Sequence, residues 1–121
     1  MTNEVEYYKK ENGKIPVLDF LQTLNPKMRA KAYNEIELLQ KHGSDLKEPY
    51  VKPLKGKINK GIFELRIKFA SDISRIFYYT CRDNKFILLH GFIKKSNKTN
   101  RSEVEKARKY KEDYERRCNS E

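Results

Sequence analysis

The sequence predicts a small α+β domain, with helices packed on a mainly antiparallel sheet in the order β-α-α-β-β-β-α. Three observations carry that prediction. Residues 62–69, IFELRIKF, alternate apolar and polar side chains at the period of a strand, and two more apolar runs follow after short polar turns. Upstream, apolar residues recur at helical spacing in two segments separated by Asn25-Pro26. Downstream, residues 102–117 carry a narrow apolar stripe within an otherwise charged segment.

Each element has its own signal. Val5 and Tyr7 mark a short first strand, closed by the turn-like ENGK of residues 11–14. Pro16 opens a short helix with Val17, Phe20, Leu21 and Leu24 on one face. Asn25 caps the second helix and Pro26 starts it; Met28, Ala32, Ile36 and Leu39 follow at helical spacing, and Gly43 ends it. Residues 44–61 contain Pro49, Pro53, Gly56 and Gly61 and are expected to form an irregular, basic connection.

In residues 62–69, Phe63, Leu65, Ile67 and Phe69 share one face, while Glu64, Arg66 and Lys68 share the other. Residues 73–80, ISRIFYYT, form the next strand after the turn at Ala70-Ser71-Asp72. Residues 85–94, KFILLHGFIK, form the last strand after the turn at Arg82-Asp83-Asn84. Such short connections predict an antiparallel meander. In the closing helix, Ser102 and Glu105 fit a capping box, and Val104, Ala107, Tyr110 and Tyr114 form the apolar stripe.

A chain of 121 residues supports one domain, residues 1–121, with one modest core. No apolar stretch approaches the roughly 20 residues needed to span a bilayer, and the first ten residues contain no apolar signal region. Cys81 and Cys118 fit no metal or redox spacing and are expected as reduced thiols in a cytoplasmic protein. The formal charge of +10 is unevenly placed. Residues 52–101 hold 13 Lys/Arg against Glu64, Asp72 and Asp83, whereas both flanks are neutral. A localised excess of this kind is the footprint of a polyanion partner, with nucleic acid ahead of an anionic membrane.

Most familiar chemistries find no support. The two histidines, His42 and His90, are far apart, and the cysteines offer no paired metal-ligand spacing. There is no Gly-rich phosphate loop and no serine in a nucleophile elbow. What remains is a set of cations and aromatics on three adjacent strands. Arg66 and Arg75 fall close together in an antiparallel pairing, His90 lies in the third strand, and Lys94, Lys95 and Lys98 follow it. The plainer alternative for the arginines is cross-strand pairing with Glu64 or Asp72, worth about 0.2–1 kcal/mol. His90 is read either as a hydrogen-bonded structural residue or as a proton shuttle. Tyr79 shares a face with Arg75 and is read either as packing or as a stacking surface for an unpaired base.

Residues 61–117 resemble the RelE/HigB superfamily of type II toxins, in its phage-derived, HigB-like branch. The carrying motifs are ELR (Glu64-Leu65-Arg66), SRIFYY around Arg75, LLHGFIKK at residues 88–95, Lys98-Thr99 and the closing SEVEKARKYKEDYERR. The strand and helical hairpin before them, with Pro16-Val17-Leu18-Asp19-Phe20-Leu21, are similar as well, so the likeness spans almost the whole chain.

The resemblance implies a RelE-like fold and a metal-independent mRNA endonuclease, with no cofactor, that cuts messages on the ribosome. It further implies a cognate helix-turn-helix antitoxin, contact with operator DNA only through the antitoxin complex, and no membrane partner. The candidate catalytic residues are Arg66, Arg75, Lys94, Lys95 and His90. The candidate RNA-binding residues are Lys52, Lys55, Lys57, Lys60, Lys68, Tyr79, Lys98 and Arg101. Relatives that use a C-terminal tyrosine or histidine cluster for proton transfer have no clear equivalent here, because Tyr110 and Tyr114 fall on the apolar stripe. A non-catalytic RNA- or ribosome-binding module, and a toxin of the same fold acting on a protein such as gyrase, are the alternatives.

Overall fold

A computed structural model describes residues 3–82, 84–94 and 100–119. Strand β1 (Glu4–Tyr7) leads into helices α1 (Pro16–Thr23) and α2 (Pro26–His42). Strands β2 (Val51–Pro53), β3 (Ile62–Phe69), β4 (Asp72–Arg82) and β5 (Lys85–Ile93) follow, and α3 (Arg101–Asn119) closes the chain. The strands form one sheet in the order β1-β5-β4-β3-β2. All described pairings are antiparallel except β1 against β5. The α+β class and the meander of β3, β4 and β5 are those expected from the sequence.

The helical hairpin forms for local reasons. Asn25 lies just ahead of α2, and its side chain accepts a hydrogen bond from the Met28 N–H at 2.8 Å. That satisfies one first-turn donor with no partner inside the helix, a contact worth about 1 kcal/mol. Two other stretches depart from expectation. Val51 and Pro53 pair with Leu65 and Phe63, so part of the expected irregular connection is an edge strand. An edge position tolerates Pro53, which has no N–H to donate. The start of α3 is capped by Asn100 instead of the expected Ser102–Glu105 box: Asn100 Oδ1 accepts from the Ser102 N–H at 3.0 Å and the Ser102 hydroxyl at 2.7 Å.

Both faces of the sheet are covered. Leu65, Ile67, Ile76, Phe86 and Leu88 pack with Val17, Leu21, Met28, Ile36 and Leu39 of the hairpin. On the other face Ile62, Phe77, Tyr79, Ile87 and Leu89 pack with Tyr8 and with Val104 and Ala107 of α3. The helix is tied down by the Tyr8 hydroxyl, which donates to Asp113 Oδ2 at 2.6 Å, and by stacking of Tyr8 on Tyr110.

A register slip decides what β5 presents. Phe77 pairs with His90 while Tyr78 pairs with Leu88, leaving Leu89 as a bulge. Strict alternation would place His90 beside Leu88 on the hairpin face. The bulge instead turns His90 and Phe92 towards α3 and Gly91 towards the hairpin. A Cβ at Gly91 would come within 2.3 Å of Phe20 Cδ2, so glycine there permits the close approach of α1. The Lys94 N–H then donates to the Ile73 carbonyl at 2.9 Å and continues the ladder beyond β5.

Candidate nucleic-acid interface

The sequence-predicted cations do not gather on one surface. Among the described residues, six of them line two separate cavities. The first, of about 350 Å³, is lined by Lys52 and Pro53 of β2, Leu54, Lys55 and Asn59 of the following turn, Glu64 of β3, Lys94 and Val104 of α3. The β2 edge strand brings in Lys52, and the β5 bulge sets the alternation that carries Lys94 to the same side as Glu64. Among the described residues, no carboxylate forms an ion pair with Lys52, Lys55 or Lys94.

The second cavity, of about 240 Å³, is lined by Arg66, Lys68 and Arg75 together with Lys31, Glu35, Pro49, Tyr50 and Ile73. Arg66 and Arg75 are directly opposed across β3 and β4. They are not equivalent. Arg75 is only 3% exposed and its guanidinium pairs with Glu64, the plainer of the two readings the sequence allowed. The expectation of an exposed phosphate clamp at Arg75 is therefore corrected: the side chain is buried and held by Glu64. Burial pulls the Arg75 pKa below its ordinary value, Glu64 opposes that shift and Arg66 adds to it. Even so, an arginine stays charged. Arg66 is half-buried, and no described carboxylate pairs with it.

The Glu64–Arg75 pair joins the two cavities, since Glu64 lines the lysine cavity and Arg75 the arginine cavity. The remaining predicted residues scatter. Lys57 and Lys60 line a different depression, beside Gly56 and Gly61. Arg101 is exposed at the start of α3. Lys95 and Lys98 lie outside the described residues.

Two predicted residues are diverted into packing. Tyr79 is 3% exposed beneath α3, edge-on to Tyr114 at 6.0 Å and with Lys111 Nζ 5.6 Å from its ring centre. It cannot stack on a base, and burial pushes its phenol far above the ordinary range. His90 Nε2 lies 2.6 Å from Glu103 Oε2 of α3, and its ring is edge-on to Tyr110. Burial moves the imidazole pKa below its ordinary value, with Glu103 opposing and Lys106 assisting. This is the structural reading of His90, a residue that locks the sheet to α3.

Sequence reasoning missed Glu35, Tyr50, Lys31 and Asn59. Glu35 had a visible signal: it falls on the α2 stripe of Met28, Ala32, Ile36 and Leu39, where an acid has no business unless partnered. Its partner is Lys31 one turn earlier, with Nζ 2.9 Å from Oε1. Glu35 Oε2 is buried and has no hydrogen-bond partner among the described residues. Tyr50 and Asn59 lie in the connection, where no periodicity marks them.

Among the described residues, no helix is long and apolar enough to cross a membrane. No curated protein matches the chain. Residues 19–112, well over half of the sequence, match the family described as phage-derived protein Gp49-like (DUF891). Together with the fold, that match places the chain in the Gp49-like, phage-derived protein family, which is a RelE/HigB-type toxin family.

Proposed function

We propose that the chain is the toxin of a type II toxin–antitoxin pair and that it cleaves messenger RNA, in the setting of the ribosome, without a metal ion. The observation that carries this reading is the juxtaposition of an unpaired lysine cavity and an arginine cavity, linked by Glu64–Arg75, in a chain of this toxin family. The family implies an antitoxin partner. In this reading the antitoxin is a helix-turn-helix protein encoded next door, and operator DNA is met only through their complex.

The chemistry needs a proton acceptor, a proton donor and positive charge around a pentacoordinate phosphorus. Glu64 is the carboxylate that lines the lysine cavity, and it takes the proton from the ribose 2′-hydroxyl. The 2′-oxygen bonds to the adjacent phosphorus, the bond from phosphorus to the 5′-oxygen breaks, and Lys94 returns a proton to that oxygen. Lys52 and Lys55 stabilise the charge that develops, while Arg66 holds the neighbouring phosphate through its planar fork. Arg75 fixes the orientation of Glu64. The products are a 2′,3′-cyclic phosphate and a 5′-hydroxyl. Open, solvated lysines leave the bare site poorly preorganised, so a ribosome that aligns the message supplies the missing orientation.

Induced expression followed by mapping of mRNA 5′ ends tests the reading. The wild type arrests growth and produces codon-phased cuts, whereas Arg66→Ala loses about a hundredfold or more of the cleavage and still binds the antitoxin. Equal loss of cleavage and ribosome binding would point to a simple binding patch. Intact mRNA accompanied by DNA damage would point to a protein target.

A further inference from the structure

Tyr50 lines the arginine cavity but belongs to neither of the two packed clusters. It is 44% exposed, and among the described residues its ring meets no other aromatic ring and no cation. Its backbone is fixed all the same. The Tyr50 N–H donates to the Lys47 carbonyl at 3.0 Å, and the Arg66 N–H donates to the Tyr50 carbonyl at 2.8 Å. That second bond extends the β2–β3 ladder one position beyond the Val51–Leu65 pair and sets Tyr50 opposite Arg66. Directly opposed residues share a face of the sheet. By alternation along the chain that face also carries Lys52, a lining residue of the lysine cavity, two residues or about 7 Å further on.

We infer that Tyr50 forms a base-stacking subsite, on which an unpaired RNA base lies while Arg66 and Lys68 hold the phosphates beside it. The inference rests on the reading that the protein handles RNA, and it adds a contact that the phosphate-binding cations do not supply. A tyrosine ring offers a large, rigid contact surface at low cost in side-chain freedom, and here the backbone beneath it is already held. Arg66 and Lys68 line the same cavity and have no described carboxylate partner, so positive charge flanks the ring. An anionic strand satisfies those cations, whereas an apolar protein segment would desolvate them without a partner. Bases inside a duplex are covered on both faces, so the ligand is single-stranded, as a message is. Every base has a π-face, so Tyr50 positions the strand without selecting its sequence. The stacking role suggested for Tyr79, which is buried beneath α3, thus falls to Tyr50.

Fluorescence anisotropy of the full chain with two labelled 2′-O-methyl strands of equal length tests this without requiring cleavage, because a blocked 2′-oxygen cannot attack. One strand is oligoadenylate and the other carries abasic sugars. The wild type holds the base-bearing strand about fivefold or more tightly than the abasic one, the gain expected of one stacked base. Tyr50→Ala removes that advantage and leaves both abasic binding and the salt dependence unchanged. Tyr50→Phe retains it, because the ring alone stacks. Lys68→Ala weakens both strands alike, as a lost phosphate contact does. Equal affinity of the wild type for the two strands, or a base advantage that survives Tyr50→Ala, would overturn the inference. So would a loss in Tyr50→Ala that falls on both strands alike, or a Tyr50→Phe as weak as Tyr50→Ala. A Tyr50-dependent preference for bases in a protein that cuts no RNA would sink the cleavage reading alone. Codon-phased cleavage undiminished in Tyr50→Ala would sink the stacking subsite alone.

Discussion

The two cavities hold similar charge in opposite ways. In the lysine cavity, Lys52 and Lys55 are exposed and, like Lys94, have no described ion-pair partner. In the arginine cavity, Arg75 and Glu35 are buried and tied, to Glu64 and Lys31 respectively. In the proposed cleavage the difference separates two tasks. Flexible, hydrated ammonium groups adapt to charge that moves during a reaction, whereas fixed, desolvated groups discriminate between shapes and hydrogen-bond patterns. Removing a member of the first set should cost activity with little change in stability, and removing a member of the second should cost stability first.

The largest effect expected from this contrast follows Arg75→Met. It strands the Glu64 carboxylate, 13% exposed at its side chain, without its cation. Breaking a buried pair in this way costs about 3–5 kcal/mol, and Glu64's partial exposure puts the loss at the lower end of that range. Urea denaturation reads it; a loss under about 1 kcal/mol would mean the pair is no more than a surface bridge. Next comes Gly91→Ala, whose methyl group must displace Phe20. Overpacking there costs about 1–3 kcal/mol, and because the same bulge region aims Lys94, cleavage should fall with it. A neutral Gly91→Ala would show that β5 does not set the lysine cavity.

His90 provides a smaller, pH-dependent effect. Its native pKa lies below its ordinary value of 6.5, so between those two values the unfolded chain binds more protons than the folded one. Stability therefore decreases as pH falls below about 6.5 and levels off once the native imidazole itself protonates. Thermal melts across pH 5–8 in wild type and His90→Gln check this, and the wild-type slope should flatten in the variant. The smallest effect on stability belongs to Lys94→Ala, within about 0.5 kcal/mol. Its signature is elsewhere: the salt dependence of RNA binding should weaken by about 0.7 in log–log slope for one lost phosphate contact.

Much of this arrangement was legible in the sequence. The 62–69 strand, the hairpin and the stripe of α3 followed from periodicity and from Pro16, Asn25 and Gly43, which are local signals. The unread parts depend on what lies across space. Strand alternation put Arg75 and Tyr79 on the correct face, but it could not show that α3 covers Tyr79 or that Glu64 claims Arg75. The bulge at Leu89 is a one-residue slip in pairing, invisible to a pattern that assumes strict alternation, and it alone moves His90 and Lys94 across the sheet. Glu35 was legible as an acid in an apolar stripe, but only the fold reveals that it lines one cavity with Arg75.

The most direct measurement is the end chemistry of RNA cut by the purified chain on ribosome-bound message in the presence of EDTA-washed reagents. The account predicts 2′,3′-cyclic phosphate and 5′-hydroxyl ends from the wild type, with the products greatly reduced in Arg66→Ala and Glu64→Gln. Ends bearing a 5′-phosphate, or cleavage undiminished in both variants, would contradict it.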